Sequence, residues 1–149
     1  MVRVIGALVA PAVVVISAST ILALAGFAGY TPLTAPPDLT LSEAAAIRDE
    51  AEVVRQIGEG ADPNGSALVR RGMLSDGDYM LTPLEAATAS RHVEIVRLLL
   101  REGAELNGAN FQTLNCLAQE GHADDIVALL KEHAPAGSSS TCEGVRLPL

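Results

Sequence analysis

The sequence predicts an all-α solenoid of three helix-turn-helix repeats, preceded by one N-terminal transmembrane helix. Three observations carry the prediction. A cap, a short helix, a turn, a longer helix and a glycine stop follow one another from Thr82 to Asn107. Stretches of the same pattern flank that unit on both sides. From Val4 to Tyr30 the chain runs 27 residues without a charge.

The uncharged run comes first in the chain. As a helix of 1.5 Å rise it reaches roughly 40 Å, against a hydrocarbon core of about 30 Å. Residues 1–30 are therefore expected to form a membrane anchor, since a secretory signal has an apolar core of only about 7 to 15 residues. The alternative is a long signal peptide cleaved near Ala25, where Ala23-Leu24-Ala25 precedes Gly26. No cysteine lies near the end of the run, which excludes a lipoprotein anchor. Arg3 and the terminal amine precede it, and the first charge after it is Asp38. The positive-inside rule then keeps the amino terminus in the cytosol and places the repeats on the periplasmic or extracellular side of the inner membrane. Residues 31–38, TPLTAPPD, hold three prolines and are expected to act as an extended spacer.

Beyond the spacer the chain repeats itself. In the central copy, residues 82–107, Pro83 disfavours helical backbone at Thr82 and suits the first helical position, while Glu85 can reach back to the Thr82 amide. That capping box starts a helix at Pro83. Leu84, Ala87 and Thr88 recur at helical spacing with mostly small side chains, so a neighbouring helix can approach closely. Ile95, Val96, Leu99 and Leu100 are the expected apolar face of a second helix, and Gly103 supplies its left-handed stop. Helices this short are marginal alone and need stacked neighbours. A shift back of 43 residues aligns 39–64 without a gap, setting Val53 on Val96, Gly60 on Gly103 and Asn64 on Asn107. A shift forward of 30 aligns 112–134, setting His122 on His92, Ile126 on Val96 and Leu130 on Leu100. Residues 65–80 are an insertion between the first two copies, and residues 135–149, rich in Ser and Gly, are expected to be an irregular tail.

The unit TPLEAATASRHVEIVRLLLREGAELN resembles an ankyrin repeat. The usual spacing in that family is 33 residues, so 43 leaves ten extra residues before the central unit, and 30 leaves the last turn three short. The last repeat lacks the Thr-Pro start and has His133 at the expected stop, as terminal repeats are normally atypical. The resemblance implies protein binding rather than catalysis. It also implies that loop tips and first helices form the binding face, which makes Arg70, Arg71, Asp76, Asp78, Tyr79, Asn110 and Phe111 the candidate partner-binding residues.

Charge narrows the partner. All 18 acidic residues and nine of the ten basic ones lie from Asp38 onward, a net −9 that disfavours nucleic acid and favours a basic or neutral protein patch. Two Tyr, two Phe and no Trp preclude a rich aromatic hot spot. Cys116 and Cys142 leave two readings open: a disulfide pinning the tail to the last repeat, worth roughly 3 kcal/mol for such a loop, or two unpaired residues, one packed and one loose.

No catalytic constellation, cofactor site or metal site is read from the sequence. His92 and His122 are explained by their shared place in the repeat, and His133 has no partner set. HExxH, GxSxG and CxxC are absent, and Gly58-Glu59-Gly60 runs into Asp62-Pro63 where a phosphate-binding helix should start. Asp76 and Asp78 begin like a calcium loop but lack its next ligand and turn glycine. The expected function is a membrane-anchored module for protein–protein interaction; the alternatives are an immunity-type inhibitor of an enzyme in the same compartment and an accessory factor for an envelope enzyme.

Overall fold

A computed structural model describes residues 38–147. The expected anchor at 1–30, and the spacer up to residue 37, lie outside the described residues. Among the described residues no helix is long and apolar enough to cross a membrane.

The described elements are, in order, α1 (Leu41–Ala46), α2 (Glu50–Gly58), β1 (Ala67–Val69), β2 (Tyr79–Leu81), α3 (Pro83–Ala89), α4 (Val93–Arg101), α5 (Gly108–Glu120) and α6 (Asp124–Glu132). They stack in two layers. Helices α1, α3 and α5 pack side by side as the first layer, and α2, α4 and α6 lie behind them as the second. The expectation of an all-α fold is corrected to a mostly helical one, because β1 and β2 pair antiparallel at the two ends of the insertion. Strands of three residues are too short for their alternation to stand out from the Gly, Ser and Asp around them.

The first-layer helices are short and each is capped by a side chain. Thr82 Oγ1 accepts from the Glu85 amide at 3.2 Å, and the Glu85 carboxylate accepts from the Thr82 amide at 2.8 Å. Thr40 and Glu43 make the same box for α1, and Asn107 with Asn110 makes an amide version for α5. Each box satisfies amides that a helix start leaves orphaned. Alanines at 44, 45, 86 and 87 are fully buried, so α1 and α3 pack on small side chains. The Ser90 hydroxyl lies 3.0 Å from the Ala45 carbonyl across that contact, and the Ser42 hydroxyl donates to the Leu81 carbonyl at 2.8 Å.

One turn geometry joins each helix pair. Arg48, Arg91 and His122 all have positive φ, of 65°, 59° and 53°. In each case the next residue donates its amide to a buried alanine carbonyl five residues back: Asp49 to Ala44, His92 to Ala87 and Ala123 to Ala118. The left-handed step at a non-glycine residue costs roughly 1–2 kcal/mol, which the recovered hydrogen bond and the packing of the second helix offset. After α2 and α4 the chain turns instead at Gly60 and Gly103, with φ of 92° and 93°.

These turns correct the repeat register in two places. The caps Thr40 and Thr82 lie 42 apart while the turn residues Arg48 and Arg91 lie 43 apart, so α1 is one residue shorter than α3 and the ungapped alignment slips within it. The third pair starts at Gly108, four residues before the expected 112, with Asn107 as its cap rather than the end of the preceding unit. Arg91 and His122 lie 31 apart, so Ile126, Leu129 and Leu130 take the places of Ile95, Leu98 and Leu99, all buried. His122 is therefore not the counterpart of His92. His92 Nδ1 caps α4 by accepting from Ile95 at 3.4 Å, whereas Ala123 stands at that place and makes no side-chain cap. The expected face of α4 also shifts: Leu98 and Leu99 are buried, and Leu100 only partly so.

Loops complete the frame. Asn64 donates through Nδ2 to the Gly103 carbonyl at 3.1 Å and accepts at Oδ1 from the Glu105 amide at 2.7 Å, tying the loop after α2 to the loop after α4. After α6 the chain runs in turns back to α5, where Cys116 and Cys142 are joined by a disulfide.

Candidate protein-interaction surface

The insertion is folded onto the first layer. In the β1–β2 pair, Ala67 faces Leu81, Leu68 faces Met80 and Val69 faces Tyr79. Strand alternation sends Val69 and Leu81 inward, where both are buried, and leaves Leu68 and Met80 together on the outer face. These two are 48% and 61% exposed and face each other across the strand pair.

Between the strands the chain is drawn toward α1 and α3. Arg70 forks onto Glu43, with Nε to Oε1 at 2.5 Å and Nη2 to Oε2 at 3.1 Å. Glu43 is almost wholly buried. Burial by itself raises a carboxyl pKa, but the Arg70 guanidinium and the Thr40 amide together outweigh it and hold Glu43 below the ordinary glutamate value. The same hydrogen bonds raise Arg70 above its usual value. Gly72, at φ 85°, then turns the chain and donates to the Ser75 carbonyl at 2.8 Å. Met73 and Leu74 come to rest beside Ala46, Ile47, Ala89 and Ser90, at the far ends of α1 and α3. With α2, α3 and β1 packed around it, all six residues of α1 are buried. Part of the first-helix face expected to bind partners is thus covered by the chain's own insertion.

The seven candidate residues separate accordingly. Arg70 is committed to Glu43. Asp78 accepts from the Arg71 amide at 2.7 Å and closes the loop. Tyr79 is half-buried, and its ring lies so close over Gly77 that a Cβ there would come within 2.6 Å of the phenol oxygen. Arg71 and Asp76 are exposed. Asn110 and Phe111 lie apart from the insertion, in the first turn of α5, and neither presents a free side chain. Asn110 accepts from the Asn107 amide at 2.8 Å and donates to the Glu105 carbonyl at 2.8 Å. Phe111 is 2% exposed and belongs to the core, which corrects its expected place at the surface: helix α5 starts early enough to swing the ring inward. Leu68 and Met80 were not among the expected residues, because ALV and YML are apolar throughout and only the strand pairing shows which side chains face outward.

Among the described residues no group of three or more His, Cys, Asp and Glu is placed to hold a metal ion. What the surface offers is a short sheet face with Leu68 and Met80 outward and, in the loop between its strands, the exposed Arg71 and Asp76, on a frame of stacked helix pairs. Residues 80–111, which run from β2 through α3 and α4 into α5, match the family model of the ankyrin repeat. Over these residues the chain is similar to an ankyrin repeat. Ankyrin repeats generally mediate protein–protein interaction and form a non-enzymatic interaction module. No curated protein matches the chain.

Proposed function

We propose that the chain is a membrane-anchored ankyrin-repeat module that captures another protein outside the cytoplasmic membrane. The observation that carries the binding part is the outward pair Leu68 and Met80, held rigid by the Arg70–Glu43 fork next to the matched repeat. The first and last helix pairs, which share the turn geometry of the central one, serve as its stacking neighbours. The anchor and the side of the membrane rest on the uncharged run of residues 4–30 and the single arginine before it.

The two parts are tested separately. Full-length chain crosslinked in intact cells should yield a partner that the double variant Leu68→Ser, Met80→Ser no longer captures, with the thermal midpoint unchanged. Equal capture by the variant refutes the surface. Retention of the chain in alkali-washed membranes supports the anchor, and its release with the soluble fraction refutes it.

A further inference from the structure

Asparagine followed by glycine is a pairing at which a peptide chain readily modifies itself, because no side chain on the glycine hinders attack of its amide nitrogen on the preceding carboxamide. The sequence holds two such pairs, Asn64–Gly65 and Asn107–Gly108. Their intrinsic chemistry is alike, but the fold uses them differently. Asn107 works through its oxygen, which accepts from the Ala109 and Asn110 amides at 3.0 and 3.1 Å. Asn64 works through both ends of its carboxamide: Oδ1 accepts from the Glu105 amide at 2.7 Å, and Nδ2 donates to the Gly103 carbonyl at 3.1 Å. The nitrogen that deamidation removes is therefore half of the bridge between the loops after α2 and α4.

The site is open to solvent yet held still. Asn64 and Gly65 are both exposed. The Asn64 amide donates to the Asp62 carboxylate at 2.9 Å, and the Gly65 amide, which must become the nucleophile, donates to the Asp62 carbonyl at 3.2 Å. Reaction needs the Gly65 nitrogen and the Asn64 carboxamide free together, so it proceeds through local opening of the loop. The bridge sets the rate, and the reaction removes the bridge.

We propose that Asn64–Gly65 is a self-modification site, at which slow conversion of Asn64 to aspartate and isoaspartate uncouples the loop after α2 from the loop after α4. A base of the medium takes the Gly65 amide proton, and the nitrogen attacks Asn64 Cγ. The Cγ–Nδ2 bond breaks, ammonia leaves with a proton from the medium, and a cyclic imide remains. Water then adds to one of the two imide carbonyls. Breaking the bond from Gly65 N to Cγ gives aspartate, and breaking the bond to the main-chain carbon gives isoaspartate. One water is consumed, one ammonia is released, and no electrons are transferred. Either product lacks the Nδ2 donor and carries a new negative charge. Isoaspartate also lengthens the main chain leading into β1 by one methylene.

The test keeps full-length chain warm in mildly alkaline buffer, one portion folded and one in urea, and follows the tryptic peptide 56–70 by mass spectrometry with isoaspartate detection. Folded Asn64 should convert at a measurable rate, at least about fivefold slower than in urea, the factor that one net hydrogen bond supplies. Gly65→Ala should slow conversion severalfold and fold normally, since a Cβ there meets nothing closer than 3.5 Å. The aged folded chain should exchange the Glu105 amide faster than before, and Gly65→Ala aged alike should not. Asn64→Asp, which is one of the products, should lower the urea midpoint more than Asn107→Asp does, because aspartate still caps α5. Absence of conversion in the folded portion once the urea portion has converted would overturn the site. Equal rates in the two portions would overturn control by the bridge. Conversion with unchanged exchange at Glu105, or a larger loss from Asn107→Asp, would overturn the uncoupling.

Discussion

Replacing Leu99 by alanine should destabilise the domain by about 3–4 kcal/mol, whereas the same change at the adjacent Leu100 should cost no more than about 1.5 kcal/mol. Leu99 is 0% exposed in the core that it shares with Val96 and Leu98, and its removal leaves a cavity there. Full burial of a leucine is worth about 1.5–3 kcal/mol in transfer alone, and the residual cavity adds to that. Leu100 is only partly buried, so part of its transfer gain was never realised. A domain of this size has a total stability of roughly 5–15 kcal/mol, and each 1 kcal/mol moves its midpoint by about 4–8 °C. Leu99→Ala should therefore melt at least about 12 °C below the parent chain. Urea unfolding followed by far-ultraviolet circular dichroism measures both variants. The register at α4 is refuted if the two variants lose equal stability or if Leu100→Ala loses more.

Three further outcomes are expected. Thr82→Ala removes the hydroxyl half of the α3 capping box and should cost about 1 kcal/mol in the same urea titration, while Thr82→Ser should restore most of it. Glu43 has a folded-state pKa below its ordinary value, so its contribution is present above the unfolded value of about 4.3 and is lost as pH falls through the folded value. The stability difference between the parent and Glu43→Gln should shrink as the medium is acidified below that range; a difference that grows in acid contradicts the sign. Asn64→Ala breaks the two bonds that join the loops after α2 and α4, and should cost about 0.5–1.5 kcal/mol with faster hydrogen exchange at the Glu105 amide. Unchanged exchange there would show that the bridge does not order the loop.

The parts of the fold legible in the sequence were those where one residue type answers one backbone need. Thr82, Pro83 and Glu85 announce a helix start because only a capping side chain satisfies the first amides, and Gly103 announces a stop because it alone adopts φ 93° freely. The offset in α1 was not legible, since Ala44, Ala45 and Ala46 follow one another and three alanines in a row carry no period. The start of α5 was hidden because Asn107 and Asn110 form their box with amides rather than with hydroxyl and carboxylate. In α6, the run Ile126-Val127-Ala128-Leu129-Leu130 satisfies either register, and only the left-handed turn at His122 decides between them. The candidate surface was legible as a place but not in its residues. Arg70 reads like a free loop charge until the fold brings Glu43, 27 residues back, to its side. Leu68 and Met80 read as incidental until pairing sets them opposite each other.

The brevity of that hairpin has a consequence for solubility. A two-stranded sheet has two open edges, and an outward apolar pair on such a sheet is the setting in which chains add to one another strand by strand. Here β1 ends after Val69, followed at once by Arg70, Arg71 and the turning glycine Gly72, so no edge longer than three residues is offered for copying. The chain can keep Leu68 and Met80 exposed to a partner because the strands that carry them are too short to seed growth.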